Sequence, residues 1–286
     1  MDTLNAIILG IVQGLTEFLP VSSSGHLVLL RNIFGISEAA LFFDTMLHAG
    51  TLVAVFIVLR KDIWALLRRP VQPLTGYLIL ATIPAVMAAL FFGDVIEHAF
   101  ETGRFLGFAF LATSAVLVTA EMLSRRARSG DGLKNAEKMT WLDSHVIGVL
   151  QAIAIMPGFS RSGATISGAL SMKLDRDFAA RFSFLLSIPA ILGAVVLQTA
   201  KLAKAAGTAA GAKTATGTLV ATGAETGISA AAVIAGTIAA AIVGFFAIRF
   251  MIKIIREKSL YGFAIYTGIL GILVLIDQFG TKIVFK

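Results

Sequence analysis

The sequence predicts an all-α integral membrane protein with six transmembrane helices plus two re-entrant helical hairpins in an inverted-topology repeat. Three observations carry this expectation. The composition is too apolar for a water-soluble domain, the basic residues gather in a few short segments, and two polar motifs match at an offset of 138 residues.

Of 286 residues, 57% are hydrophobic and 14% are charged, where a soluble domain has about 25% charged. Mean hydropathy is +0.87. A soluble fold of this size could not hide so much apolar surface, so lipid must be part of its solvent. The 27 glycines suit helices that pack closely in a membrane. The chain has no cysteine, which excludes disulfides and thiolate metal sites. The net charge of +7 does not imply a nucleic-acid partner, because the basic residues lie in short loops between apolar segments.

Spanning the hydrocarbon takes roughly 20 apolar residues. Six stretches qualify: 41–59, 75–96, 104–123, 178–200, 229–252 and 259–280. Two further apolar stretches, 3–30 and 144–172, are interrupted by Pro, Gly and clustered hydroxyls. Most of the 24 basic residues fall in 60–70, 124–140, 173–181 and 249–258, which the positive-inside rule places in the cytoplasm. Counting crossings, 144–172 begins and ends inside and must be re-entrant. Segment 3–30 is either a span or a second hairpin entering from outside, and the repeat favours the hairpin. The Ala-, Thr- and Gly-rich linker 201–228 reads as an outer loop with little chemistry. Trp64, Trp141, Tyr261 and Tyr266 lie near span ends, where aromatics are ordinary.

The repeat pairs Gly10, Gln13, Ser22, Ser24 and Gly25 with Gly148, Gln151, Ser160, Ser162 and Gly163. Three spans separate the copies, and an odd number inverts the second relative to the first. The chain is thus read as a single membrane domain over 1–286, with one repeat in 1–123 and the other in 144–286. In transporters built this way, broken helices meet near the midplane and place polar groups there.

The first motif is QGLTEFLPVSSSGH over 13–26. Gln13 and Glu17 are four apart and share one helix face. Pro20 disfavours helix just before it, and Ser22, Ser23, Ser24, Gly25 and His26 follow in a tight turn. One such polar residue reads as a cap or a satisfied core group. A whole cluster inside a membrane is functional by default, since each unpaired polar group there is costly. The second motif is PGFSRSGAT over 157–165, where Arg161 is the only basic residue of 144–172. Ser160, Ser162, Thr165 and two glycines surround it, a composition suited to binding an anion with backbone amides and a guanidinium fork. Together Glu17, Ser23, His26 and Arg161 form a constellation for attack on phosphorus, which needs mainly positioning and charge neutralisation. Asp44 and His48, four apart near the outer end of 41–59, rank lower and are read with Ser22 and Ser24 as supporting groups.

These two motifs, in this order, resemble those of the undecaprenyl-diphosphate phosphatases linked to bacitracin resistance, and the resemblance covers essentially the whole chain. It implies six spans and two re-entrant hairpins, residence in the bacterial cytoplasmic membrane and a pocket open to the outer, periplasmic face. It implies hydrolysis of undecaprenyl diphosphate to the monophosphate, with a divalent cation (Mg²⁺ or Ca²⁺) as cofactor and a polyprenyl diphosphate lipid as substrate. It marks Glu17, Ser23 and His26 as catalytic together with Arg161, and Ser160, Arg161, Ser162, Thr165 and Gln13 as substrate-binding. On this reading Glu17 holds the cation or acts as base, with Gln13 as a neutral ligand where some relatives have Glu. Ser23 is the favoured nucleophile with a metal-activated water as competitor, and His26 shuttles a proton. A lipid-phosphate transporter or flippase using the same pocket is the alternative. Oligomeric state is not legible, and a homodimer is compatible.

Overall fold

The computed structural model describes residues 1–36, 40–128, 133–208 and 228–285. Among these residues all regular structure is helical: α1 (Thr3–Thr16), α2 (Ser23–Phe34), α3 (Ala40–Val58), α4 (Arg60–Arg68), α5 (Pro73–Thr102), α6 (Leu106–Arg128), a 3₁₀ turn (Ala136–Lys138), α7 (Trp141–Ile153), α8 (Arg161–Ser171), α9 (Arg176–Thr208), α10 (Ala230–Glu257), α11 (Tyr261–Ile276) and a π turn (Asp277–Thr281). Five of them, α5, α6, α9, α10 and α11, are long and apolar enough to cross a membrane. A sixth is present if α3 and α4, bent by 77° at their junction, count as one span.

Both interrupted stretches fold as helical hairpins. The helices of the first have 14 and 12 residues and those of the second 13 and 11. At 1.5 Å per residue each is about 16–21 Å long, well short of the roughly 30 Å hydrocarbon. The breaks have local causes. Pro20 and Pro157 end the α1 and α7 runs, and Ser22 and Ser160 cap the next helices by accepting the amides of Gly25 and Gly163.

Glycines set how the hairpins dock. A Cβ on Gly10 of α1 would lie 2.2 Å from the Gly236 carbonyl oxygen on α10, and one on Gly148 of α7 would lie 2.7 Å from the Ala81 carbonyl oxygen on α5. Each hairpin therefore packs backbone-to-backbone on a long helix of the other half of the chain. We expect Gly10→Val to cost about 1–3 kcal/mol by overpacking. Gly262→Ala, with nothing within 4 Å, is expected to stay within about 0.5 kcal/mol. Thermal unfolding in detergent reads both.

The basic segments converge at one end of the molecule. Arg176 at the start of α9 reaches Glu121 of α6 at 2.9 Å and the carbonyls of Ile255 and Lys258 at 2.6 and 3.0 Å. Arg181 reaches Asp62 of α4 at 3.0 Å, and Arg256 of α10 reaches Asp177 at 2.6 Å. The two ends of the α7–α8 segment lie side by side there: the Lys134 amide donates to the Lys173 carbonyl (2.9 Å) and the Asp175 amide to the Lys134 carbonyl (2.8 Å).

Two expectations shift. The linker begins later than residue 201, because α9 runs on to Thr208 through an Ala- and Lys-rich stretch of good helix formers. Residues 209–227 of that linker lie outside the described residues. Helix α5 exceeds its predicted 75–96 at both ends and carries Pro84 and a non-helical residue, Phe92, within it.

Candidate functional site

The site forms where the two hairpin tips meet. Gln13 and Glu17 sit at the end of α1, one turn apart, and Gln13 Nε2 donates to Glu17 Oε2 at 2.9 Å. The chain turns at 17–22 and enters α2 at Ser23, whose hydroxyl donates back to Glu17 Oε2 at 2.5 Å. From the other hairpin Arg161, the first residue of α8, donates Nη2 to Glu17 Oε1. Glu17 is thus gripped on both oxygens and lies on the floor of the cluster, its side chain 4% exposed against 20% for Arg161.

Ser23 and Arg161 occupy equivalent places. Each is the first residue of its hairpin's second helix, each follows a capping serine, and each is three residues after a proline or four after one. The N-terminal ends of α2 and α8, which carry the positive ends of their helix dipoles, therefore lie beside one another with Ser23 and Arg161 both on Glu17. That is how a fold presents donors to a phosphate.

The hydroxyls around these two residues hold the tips together. Ser162 Oγ donates to the Leu19 carbonyl at 2.9 Å, and the Gly158 amide donates to Ser24 Oγ at 3.4 Å. Ser160 caps α8, and its amide donates to Thr113 of α6 at 3.0 Å. Ser22 caps α2 and lies 3.4 Å, Oγ to Oγ, from Ser24. Thr165 is buried and turned to α9, with Ser183 Oγ at 2.6 Å. The structure therefore brings Gln13, Glu17, Ser23 and Arg161 together, sets Ser22, Ser24, Ser160 and Ser162 in the framework beneath them, and places Thr165 away from Glu17.

Of the two histidines, His48 is the one that lies at Glu17. His48 of α3 has Nδ1 3.3 Å from Glu17 Oε2 and also contacts Gln13 Nε2. His26 makes no hydrogen bond to Glu17, Ser23 or Arg161. Its Nδ1 donates to the Ser22 carbonyl at 2.7 Å, and its Nε2 meets the Tyr266 hydroxyl of α11 at 2.7 Å. Tyr266 is thus more than an interfacial aromatic, though nothing near it in sequence points to a partner 240 residues away. Asp44 is buried in an ion pair with Arg31 of α2, a residue the sequence analysis does not single out.

Oxygen donors for a hard cation are present but few. Gln13 Oε1 is buried without a hydrogen-bond partner, one turn from the Glu17 carboxylate. Among the described residues no three His, Cys, Asp or Glu side chains gather. The donor set fits a cation that takes one or two protein oxygens and fills its shell with phosphate oxygens and water, as Mg²⁺ commonly does.

Fold and site define a class: multi-pass membrane proteins in which two short helical hairpins meet at a buried Glu–Arg pair. Residues 6–273 match the family described as bacitracin resistance protein BacA, and the chain belongs to that family. It is 44% identical over 282 residues to an undecaprenyl-diphosphatase of Carboxydothermus hydrogenoformans, covering 99% of this chain and 100% of the relative. It is 45% identical to undecaprenyl-diphosphatase 4 of Bacillus thuringiensis subsp. konkukian, over 98% of both. An undecaprenyl-diphosphatase of Methanosphaera stadtmanae is 38% identical, over 96% of this chain and 98% of its own.

Proposed function

We propose that the protein hydrolyses undecaprenyl diphosphate to undecaprenyl phosphate and inorganic phosphate, recycling the lipid carrier of cell-wall synthesis and so conferring bacitracin resistance. The observation that carries this is the meeting of Ser23, Glu17 and Arg161 at two helix N-termini, in a chain whose full-length relatives are named undecaprenyl-diphosphatases. The carrier alternative draws no support from those names.

The terminal phosphate lies between the α2 and α8 N-termini, and Arg161 turns from Glu17 to its oxygens. Glu17, released from the guanidinium, takes the Ser23 proton as Ser23 Oγ forms a bond to the terminal phosphorus. The bridging P–O bond breaks, and its electron pair leaves with undecaprenyl phosphate. Water then attacks the phosphoserine phosphorus as the Ser23 Oγ–P bond breaks; Glu17 returns its proton to Ser23 Oγ, the attacking water's proton passes to solvent, and inorganic phosphate leaves. Gln13 Oε1 and the Glu17 carboxylate are the groups that would hold a divalent cation, Mg²⁺ or Ca²⁺. When bound, it neutralises charge on the non-bridging oxygens.

The topology belongs to the same reading: six spans, with the hairpins inserted from opposite faces as an inverted repeat. Support comes from the clustered basic segments, from the Lys134–Leu174 pairing that closes the second hairpin at that same end, and from the reciprocal docking of α1 on α10 and α7 on α5. With the basic end in the cytoplasm, the protein resides in the bacterial inner membrane and its site opens to the periplasm.

Phosphate release from a prenyl diphosphate by the detergent-purified protein tests the reading. We expect metal-dependent release that disappears in Glu17→Ala; release unaffected by Glu17→Ala contradicts it. His48→Ala, which strips a neighbour from Glu17 Oε2, is expected to lower kcat by about a hundredfold in the same assay.

A further inference from the structure

His26 was expected to move a proton, yet both of its ring nitrogens are committed away from Glu17, Ser23 and Arg161. Ser22 offers its carbonyl, an acceptor only, so His26 Nδ1 must be the donor across that 2.7 Å contact. In the neutral ring Nε2 is then an acceptor, and the Tyr266 hydroxyl 2.7 Å away donates to it. The Tyr266 ring lies parallel to the imidazole (interplanar angle 9°, centroids 5.7 Å apart), and Phe110 of α6 meets it edge-on at 85°. Three elements thus fix one ring in one tautomer.

The recipient of this arrangement is Ser22. Its backbone has φ 70 and ψ 95, in the left-handed half of φ/ψ space that non-glycine residues avoid. Such a conformation persists only when its surroundings hold it. The Ser22 carbonyl accepts from the His26 amide (3.2 Å) and from His26 Nδ1. This residue turns the chain into α2 and thereby aims Ser23 back at Glu17.

We propose that His26 and Tyr266 are positioning residues: Tyr266 locks His26 as an Nδ1–H donor, and His26 holds the strained Ser22 carbonyl so that Ser23 Oγ stays on Glu17. The proposal deepens the hydrolase reading and rests on it for its kinetic arm.

The side-chain amide of Asn places its NH₂ where imidazole carries Nδ1, whereas that of Gln reaches the Nε2 position. Neither amide can shuttle a proton. With farnesyl diphosphate as substrate and the full chain in detergent, His26→Ala and His26→Gln are expected to lose about a hundredfold in kcat with KM changed by less than about threefold. His26→Asn is expected to recover at least about tenfold of that loss, and Tyr266→Phe to lose about tenfold in kcat alone. If His26→Asn is as inactive as His26→Ala while both unfold at the same temperature, positioning is overturned and proton transfer by His26 takes its place.

A second arm does not depend on activity. Nitrogen NMR of histidine-labelled protein, with the His26 signals assigned by their loss in His26→Asn, is expected to show the Nδ1–H tautomer in the wild type. It should show loss of that single tautomer in Tyr266→Phe. A wild-type Nε2–H tautomer overturns the proposal. If the wild type releases no phosphate, the hydrolase reading fails, and this spectrum still decides the geometry.

Discussion

Arg161→Ala is expected to lower kcat/KM for a prenyl diphosphate by about 10³-fold or more, the scale at which a guanidinium stabilises a transferring phosphoryl group. Arg161→Lys should fall between, losing about 10–10²-fold, because it keeps the charge and loses the planar fork. Activity and stability separate in these variants. In the wild type the guanidinium balances a Glu17 carboxylate whose side chain is 4% exposed, so removing it leaves a buried charge held by Ser23, Gln13 and His48 alone. That costs stability. Glu17→Gln in the Arg161→Ala background should restore the unfolding temperature and leave the enzyme inactive. An Arg161→Ala protein that turns over normally would remove the clamp from the mechanism.

Ser23→Ala is the second large effect. If Ser23 Oγ is the nucleophile, its loss is expected to reduce kcat by about 10⁴-fold or more, with KM little changed, as for other covalent catalysts. The structural cost is small, because Ser22 and not Ser23 caps α2. Ser23→Ala frees Glu17 Oε2 of one donor while Gln13 Nε2 remains on it at 2.9 Å. A water attacking directly, with Glu17 as its base, predicts a much milder loss. Rapid quenching of the wild type with labelled substrate should also trap phosphate on the chain, and this label should be absent from Ser23→Ala.

Much of this was legible in the sequence, for identifiable reasons. The spans follow from length and apolarity, and both hairpins follow from prolines followed by capping serines. Glu17, Ser23 and Arg161 stand out in the sequence because charge and hydroxyls are costly in a membrane, and the structure brings the three into contact. What the sequence hid was partnership. His48 reads from the sequence as a supporting group without a named partner, and only the docking of α3 beside α1 brings it to Glu17. Tyr266 looks like any aromatic near a span end until α11 lies against α2. The serines flanking Arg161 looked like anion ligands by composition. Their hydroxyls instead cap a helix and tie one hairpin to the other, a distinction that depends on side-chain direction and not on residue type.

The central claim is that the two hairpin tips share one site, and the chain's lack of cysteine permits a direct measurement. A Cβ at position 163 would lie 3.4 Å from Cβ of Pro20, close to the roughly 3.5–4.5 Å of a disulfide. In Pro20→Cys/Gly163→Cys protein, oxidised in its native membrane, we expect the two thiols to join and to resist maleimide labelling after denaturation until reduced. Two thiols that stay free and label independently would contradict the account.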